Sequence, residues 1–315
     1  MAPHDGTGRD SVILSALPPR VRIVEVGPRD GFQNEPGLVP LASKVAFVDL
    51  LSETGITEIE VSSFVSPRQV PQLADAEQVF HAIKRHPGVV YSALVPNERG
   101  LDRALAVQAG RISVFTAASE SFNQRNVGTS VAASIERFRP VATRARQAGL
   151  ELRGYVSTAF HCPFEGPVAS GSVVEVVRRL LDLGVAEVSL GDTIGAAVPS
   201  EVDRLLDALE GVIDPGRIAL HLHDTRGTAL PNALVGLQRG IAIFDTSAGG
   251  LGGCPFAPGA TGNLATEDFV YLLDGLGVAS GVNAAALRRA SDLAEQALGH
   301  PLPSRVRRAG PPRRG

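Results

Sequence analysis

Residues 218–247, IALHLHDTRGTALPNALVGLQRGIAIFDTS, hold the pattern that decides the fold of this 315-residue chain. The apolar run Ile218–His223 comes first, a longer helical stretch follows, and a second short apolar run covers Ile243–Ser247. Short apolar runs that alternate with helical stretches are typical of parallel strands joined by crossover helices. The segment therefore predicts one strand–helix–strand unit.

The same unit recurs along the chain. The eight predicted strands are Val21–Val26, Glu58–Ser63, Val89–Leu94, Arg111–Thr116, Leu152–Ser157, Glu187–Leu190, Ile218–His223 and Ile243–Ser247. Eight β-then-α units favour a TIM (β/α)₈ barrel, whereas a doubly wound open sheet, the alternative, usually has about five or six strands. Residues 266–300 are predicted to form extra C-terminal helices.

Composition limits the domain organisation and excludes some partners. A 44% hydrophobic content and a net charge of −3 fit one large α/β domain as well as two small ones, and they give no basic field of the kind that nucleic-acid binding needs. No apolar run approaches the ~18–20 residues of a membrane span. We expect a cytoplasmic barrel domain over residues 20–300, with flexible tails at 1–19 and 301–315.

Polar side chains follow the first two strands, where the active sites of barrels lie. Arg29 and Asp30 sit together in a Gly/Pro-rich turn after the first strand, a pattern that also fits an ordinary turn. Glu60 lies inside the apolar second strand. Because a buried carboxylate is rarely unpaired, Glu60 should have a cation or hydrogen-bond donor nearby.

The seventh strand ends in His221-Leu222-His223, and the two-residue period of a strand sends both imidazoles to the same face. A lone HxH motif is more often structural than metal-binding. Asp30 and Asn263 come from neighbouring parts of a closed barrel and strengthen the metal interpretation. Two imidazoles and two oxygen ligands suit Mg²⁺ or Mn²⁺, with Zn²⁺ and Co²⁺ as less favoured alternatives.

The sequence leaves two readings open for Asp192, which closes the sixth strand. It could orient a metal-bound histidine or Arg29, or it could cap the next helix. Arg153, in the fifth strand, is expected to have its side chain available to the barrel interior.

Cys254 lies near the middle of a glycine-dense loop after the eighth strand. Such a loop is either a flexible connector or a lid, and we favour a lid that brings Cys254 onto the substrate. Cys162 has no further Cys or His ligands at zinc-site spacing, so we interpret it as structural.

The two lysines, Lys44 and Lys84, constrain any carbon–carbon cleavage. Such a reaction needs either a Schiff-base lysine or a metal Lewis acid as its electron sink. Both lysines fall on predicted helices away from the strand ends. The sequence therefore excludes the Schiff-base route and leaves the metal-assisted one.

Six segments together resemble the 3-hydroxy-3-methylglutaryl-CoA (HMG-CoA) lyases, within the DRE-TIM metallolyases, over residues 21–298. They are VGPRDGFQNE (26–35), SFVSPRQVPQ (63–72), GYVSTAFHCPFEG (154–166), EVSLGDTIG (187–195), LHLHDTRG (220–227) and AGGLGGCPFAPGATGNLATED (248–268). The resemblance implies cleavage of HMG-CoA to acetyl-CoA and acetoacetate, as in leucine catabolism and ketone-body formation. An acyl-CoA substrate, no nucleic-acid or membrane partner and a homodimer are expected.

The resemblance also implies roles for individual residues. The divalent metal, Mg²⁺ or Mn²⁺, would be held by Asp30, His221, His223 and Asn263. Arg29 would stabilise the thioester enolate, Cys254 would transfer a proton to the product carbanion, and His221 would share acid–base work. The remaining family positions that support Arg29, the metal ligands and the loop are Glu60, Asp192 and Glu267.

The chain departs from the family pattern at Phe32, Phe164, Phe256 and Pro36, and Phe160 and His161 are also unusual. We expect these side chains at the mouth of the site rather than at the metal, so they bear on the substrate more than on the reaction. A lyase for a longer 3-hydroxy-3-alkylglutaryl-CoA and a Claisen-condensing synthase are the alternatives.

Overall fold

The computed structural model describes residues 17–253 and 262–310. Eight parallel strands close into a barrel in which each strand pairs with its neighbours in chain order, and the first strand pairs with the eighth. The TIM-barrel prediction is confirmed. The strands are Arg22–Glu25, Glu58–Ser63, Val90–Leu94, Arg111–Ala117, Leu152–Ser157, Glu187–Asp192, Ile218–Leu222 and Ile243–Thr246.

Helices surround the barrel and bury apolar stripes against it, such as Val173, Val176, Val177 and Leu180 in the helix after the fifth strand, whereas the short helix Arg305–Ala309 has no buried residue. The helices are Leu41–Ser52, Ala76–Ala82, Glu98–Ala106, Glu120–Val127, Val131–Arg137, Arg139–Gln147, Ser170–Asp182, Pro199–Ala208, Ala229–Gln238, Thr266–Leu276, Ala284–Leu298 and Arg305–Ala309. A short antiparallel hairpin follows the fifth strand, and its two strands are His161–Cys162 and Gly166–Pro167. Within the described ranges, no helix is long and apolar enough to cross a membrane.

The alternation of the seventh strand decides which side chains reach the interior. Leu220 points outward and packs on the helix Ala229–Gln238, where a Cβ at Gly236 would lie 2.4 Å from Leu220 Cδ1. His221 is offset by one residue and points inward. The close approach of helix and strand at Gly236 therefore fixes the face that His221 presents.

The first strand ends in a single π-helical turn, Gly27–Gly31. The N–H groups of Arg29, Asp30 and Gly31 all donate to Val26 O, at 3.1, 2.7 and 3.2 Å. Single π turns of this kind often occur at functional sites. Here the turn places Arg29 and Asp30 side by side at the carboxyl end of the barrel.

The structure differs from the expected tail at residues 301–310. Leu302 and Ser304 are buried, and Arg305–Ala309 forms a helix. The Ser304 side chain and the Val306 N–H both donate to Asp268 Oδ1, at 2.6 and 2.9 Å. The basic, proline-rich composition predicted a flexible tail, but the buried carboxylate of Asp268 anchors this short segment to the barrel domain.

The amino-terminal boundary also differs slightly. Leu17 packs against the core, and Pro19 O accepts a hydrogen bond from Ala279 N at 3.1 Å. Residues 17–19 therefore belong with the barrel domain, while the rest of the expected tail, 1–16, lies outside the described residues.

Candidate active site

Three side chains with metal-binding atoms meet at the carboxyl end of the barrel. The ligand atoms of Asp30, His221 and His223 all lie within 4.8 Å of one another. The Nε2 atoms of the two histidines are 3.2 Å apart, and His221 Nε2 is 3.8 Å from Asp30 Oδ2. The HxH motif and the turn after the first strand thus converge on one point.

Asn263 joins this cluster from the far side of the glycine-rich loop. Its Nδ2 donates to Asp30 Oδ2 at 2.9 Å and to Leu251 O at 3.0 Å. A backbone bridge between Asn263 and His223 holds the two segments together. All four side chains that the sequence suggested as metal ligands are therefore neighbours.

The charges of Asp30 and His223 suit a cation. Burial opposes the charge of Asp30, but Arg29 and the two histidines outweigh it and lower its pKa to about 2. Burial and the neighbouring His221 lower the pKa of His223 to about 4. At neutral pH the site therefore presents a carboxylate and a neutral imidazole, the forms that bind metal ions.

Asp245 controls the orientation of His221. Its Oδ2 lies 3.2 Å from His221 Nδ1 and accepts a hydrogen bond from Ser189 Oγ at 2.8 Å. A carboxylate at Nδ1 keeps the proton on that nitrogen and leaves the Nε2 lone pair facing His223 and Asp30. A carboxylate, two imidazoles and an amide, backed by this partner, fit a divalent cation.

Arg29 lies beside the ligand cluster and is held on two sides. Its Nε donates to Glu60 Oε2 at 2.5 Å and its Nη1 to Asp30 Oδ1 at 2.6 Å. Burial acts against its charge, but Glu60 and Asp30 prevail and raise the pKa of Arg29 above its ordinary value. The partner expected for Glu60 is thus Arg29, and Tyr155 OH donates to the same oxygen at 3.2 Å.

Asp192 stands apart from this cluster. Its oxygens accept hydrogen bonds from Ala196 N at 3.0 Å and Ala197 N at 3.1 Å, and burial raises its pKa to about 6. Its chain neighbours Gly191 and Thr193 line the pocket instead. Because side chains alternate along a strand, Asp192 shapes the following loop and does not orient His221 or Arg29 in this structure.

The predicted lid residue Cys254 lies outside the described residues. The loop can be followed to Gly253, which lines the pocket and accepts a hydrogen bond from Asn34 Nδ2 at 3.0 Å. Glu267 accepts a hydrogen bond from Gly249 N at 2.8 Å and also bonds to Ser291. Glu267 therefore holds the start of the loop.

Cys162 is buried and packs with Ala117 and Phe122.

Neither lysine lines the pocket. Lys44 lies in the helix Leu41–Ser52 and binds Asp75 at 2.7 Å. Lys84 lies two residues after the helix Ala76–Ala82, rather than within it as expected. Among the described residues that line the pocket there is no lysine.

Sequence reasoning missed two groups that the site uses. Asp245 interrupts an apolar strand, so, like Glu60, it is a buried carboxylate that needs a partner. Tyr155 lies over Arg29, with 5.4 Å between the guanidinium carbon and the ring centre. Its hydroxyl function had no sequence signal, because an aromatic residue in a strand usually packs in a core.

The rest of the pocket is mixed in character. Its apolar wall includes Leu94 and Phe115, from the third and fourth strands across the barrel from the ligand-bearing strands, and Phe122 from the following helix. Polar groups at the mouth are Gln33, Asn34, Asn126, Ser157 and Thr193. The pocket therefore offers a charged end at the ligand cluster and an apolar wall across from it.

Together the closed barrel and this cluster define a TIM-barrel protein with a candidate divalent-metal site beside a buried arginine. Residues 20–294 match the model of the HMGL-like family. A mitochondrial hydroxymethylglutaryl-CoA lyase from Rattus norvegicus is 48% identical over 94% of this chain and 91% of its own length. The chain belongs to the HMGL-like family, as its motifs indicated.

Solved structures agree with this placement. The hydroxymethylglutaryl-CoA lyase from Pseudomonas aeruginosa has a TM-score of 0.91 at 48% identity, covering 93% of this chain and 98% of its own. The HMG-CoA lyase from Acinetobacter baumannii, solved with coenzyme A and 3-methylmalate, has a TM-score of 0.90 at 38% identity. Its match covers 94% of this chain and 97% of its own.

Proposed function

We propose that this protein is a divalent-metal-dependent carbon–carbon lyase that cleaves HMG-CoA to acetyl-CoA and acetoacetate. The observation that carries the proposal is the convergence of Asp30, His221 and His223 beside Arg29 in one pocket. The names of the relatives and the coenzyme A bound to the Acinetobacter enzyme support the acyl-CoA substrate.

Asp30, His221, His223 and Asn263 would hold the metal, which we propose is Mg²⁺ or Mn²⁺. When bound, such an ion supplies Lewis-acid polarisation of the substrate's carboxylate and tertiary hydroxyl and makes the hydroxyl more acidic. The shifted pKa values keep Asp30 ionised and His223 neutral at neutral pH, and these are the forms that bind a metal ion. Asp245 fixes the Nδ1 side of His221 so that Nε2 faces the ligand point.

Arg29 acts where negative charge develops. When the bond between C2 and C3 breaks, its electron pair moves toward the thioester carbonyl and forms an enolate. Arg29 is permanently charged and buried, and Glu60 and Asp30 fix its orientation before the reaction. A hydrogen-bond donor that is oriented before the reaction stabilises the transition state by about 3–4 kcal/mol.

Proton transfers complete the reaction. The tertiary hydroxyl loses a proton as acetoacetate forms, and the acetyl-CoA enolate gains one at carbon. We assign a share of the first transfer to His221, through Nε2 while that nitrogen is not bound to the metal, and the second to Cys254, whose loop enters the pocket at Gly253. General acid–base catalysis by such a group typically contributes ~10²–10⁴-fold.

The apolar wall opposite the ligands would receive the methyl group at C3. Leu94, Phe115 and Phe122 line that side, and a larger alkyl group would have to fit against the same side chains. A 3-hydroxy-3-alkylglutaryl-CoA with a longer chain is therefore the informative second substrate. Its specificity constant relative to HMG-CoA measures how closely the wall fits a methyl group.

The first test is a coupled assay for acetyl-CoA release from HMG-CoA, with Mg²⁺ or Mn²⁺ and then with EDTA, in the presence of a thiol reductant. We expect turnover that depends on the metal. The matched variant Asp30→Asn should lose both bound metal and turnover. Metal-loaded wild-type protein that cleaves neither HMG-CoA nor its longer homologue would overturn the proposal and favour a condensing synthase.

We further propose that the protein is a homodimer in the cytoplasm and that it acts in leucine catabolism and ketone-body formation. The products, acetyl-CoA and acetoacetate, are consistent with that role. Light scattering of the purified chain tests the dimer. A monomeric mass at assay concentrations would refute that part and leave the reaction unaffected.

A further inference from the structure

Arg153 lies at the centre of the barrel and binds three groups. Its side chain is 1% exposed and comes from the fifth strand, Leu152–Ser157. Nε donates to Glu187 Oε1 at 2.6 Å, Nη2 to Asp245 Oδ1 at 2.5 Å and Nη1 to Tyr155 OH at 2.9 Å. A guanidinium is planar, so these three directions are fixed relative to one another.

One of these contacts leads to the metal ligands. Asp245 uses Oδ1 for Arg153 and Oδ2 for His221 Nδ1, while Ser189 Oγ also donates to Oδ2. The carboxylate is fully buried, so its plane is set by these partners. Arg153 therefore fixes the group that orients His221.

A second contact links Arg153 to Arg29, the cation that we propose stabilises the enolate. Tyr155 OH accepts from Arg153 and donates to Glu60 Oε2, and Glu60 binds Arg29 Nε. Burial raises the pKa of Tyr155 well above its ordinary value, so its hydroxyl keeps the proton that it donates. The hydrogen bonds thus run unbroken from Arg153 to Arg29.

We propose that Arg153 is a positioning residue that sets the metal ligand His221 through Asp245 and the cation Arg29 through Tyr155 and Glu60. The inference rests on the proposed metal-dependent reaction. Arg153 is not among the described residues that line the pocket, so it acts through its neighbours. The rigid guanidinium of Arg153 then keeps His221 and Arg29 at a constant separation.

The test separates the two arms by substitution. Asp245→Asn should weaken Mn²⁺ binding by ~10- to 100-fold, the usual effect of losing a partner behind a ligating histidine. Tyr155→Phe should leave the Mn²⁺ Kd unchanged and lower kcat at saturating metal by ~10-fold, because one hydrogen bond to the Arg29 support is lost. Arg153→Lys should show both effects.

Calorimetric titration of metal-free full-length protein with Mn²⁺ gives Kd, and the coupled assay gives kcat and KM. A double-mutant cycle adds the decisive comparison: Tyr155→Phe should cost less in the Arg153→Lys background than in wild type. The control Arg111→Lys changes another buried arginine, whose carboxylate partners are Glu58, Glu151 and Glu187 rather than Asp245. It should leave Kd and kcat unchanged.

Folded Arg153→Lys protein with wild-type Kd and kcat would overturn the inference, as would equal losses in Arg111→Lys. If Arg153→Lys does not fold, Asp245→Asn and Ser189→Ala decide, and wild-type Mn²⁺ binding in both would refute the metal arm. A wild-type chain that binds no Mn²⁺ and cleaves no substrate would instead refute the proposed function.

Discussion

The two ends of the barrel interior use buried charge in opposite ways. At the amino-terminal ends of the strands, Arg22 and Arg111 both bind Glu58 and Glu187, so cations and carboxylates alternate. At the carboxyl ends, Asp30, His221 and His223 direct ligand atoms toward one another. One end pairs its charges, and the other gathers groups that need a cation between them.

This difference shows which end is built for stability and which for chemistry. Alternating charges satisfy each other, whereas converging lone pairs are favourable only when something bridges them. Arg153 lies between the two ends and touches both, since it binds Glu187 on one side and Asp245 on the other. The comparison predicts that substitutions at the two ends have separable effects.

The largest effect is expected at the converging end. His223→Ala removes one imidazole ligand, so the protein should lose its bound divalent metal and at least about 10³-fold in kcat/KM, or about 4 kcal/mol. The free energy of unfolding of the metal-free protein should change little in comparison. Metal content by elemental analysis and the coupled assay measure the first two quantities, and urea unfolding measures the third.

A His223→Ala protein that keeps wild-type metal content would show that the converging end is not the metal site. The control is His300→Ala, which changes an exposed histidine bound to Glu35. It should retain the metal.

The next effect is expected at the paired end. Arg111→Ala leaves Glu58 and Glu187 with fewer cations in a buried setting, and such a change costs about 3 kcal/mol in the free energy of unfolding. Arg22 and Arg153 still contact these carboxylates, which keeps the cost near the lower end of the usual range. The Kd for Mn²⁺ should stay at the wild-type value. Urea unfolding measures the loss of stability, and Mn²⁺ titration measures the Kd. Stability at the wild-type level, or a weakened Kd, would erase the distinction between the ends.

The sequence predicted the converging end well because strand periodicity and strand ends determine it. His221 and His223 share a face by alternation alone, and Asp30 follows the strand that neighbours the eighth one. The fold was predictable for the same reason, since each of the eight apolar runs became a barrel strand. Local pattern was enough in both cases.

The paired end and the links between the ends were not predictable. Which arginine binds Glu187 depends on strand register, such as Arg153 beside Glu187 and Asp245 beside His221. The partner of Asp192 depends on the path of a loop. Register and loop path are tertiary properties, and a period along one strand carries no information about them.

A third effect concerns the segment 301–310, which supports the converging end from outside. Leu302 is 1% exposed and packs on Gly249, where a Cβ would lie 2.3 Å from Leu302 Cδ1. Ser304 N also donates to Gly249 O at 2.9 Å. Leu302→Ala leaves a cavity over the start of the glycine-rich loop and should cost about 2 kcal/mol in unfolding free energy.

Thermal and urea unfolding measure that cost. Leu38→Ala is the matched control because Leu38 is 71% exposed, and it should stay close to wild type. Equal stability of the two variants would mean that residues 301–310 do not support the barrel in solution. The expected tail would then describe the segment better than the helix does.

The last effect is gradual, because it grows with pH. It tests whether a buried carboxylate without a cation is neutral, as the contrast between the two ends of the barrel implies. Glu25 is fully buried, and its oxygens bond to Gly27 N, Ala248 N and Thr266 Oγ1. Burial raises its pKa from 4.5 to about 8, the three hydrogen bonds oppose the shift, and the nearby Glu267 carboxyl adds to it. Between these values the folded protein holds a proton that the unfolded chain has released. Stability should therefore fall as pH rises across this window, by at most about 1.4 kcal/mol per pH unit.

Glu25→Gln isolates this term because an amide reproduces the protonated acid: its oxygen accepts from the two N–H groups and its NH₂ donates to Thr266. The variant should match wild type at the acid end of the window and exceed its stability at the alkaline end. The measurement is the difference in unfolding free energy between the two proteins at a series of pH values. A difference that stays constant with pH would show that Glu25 is ionised when folded. The fully buried interior would then tolerate a carboxylate without a cation, and the contrast between the two ends of the barrel would no longer explain where its charges lie.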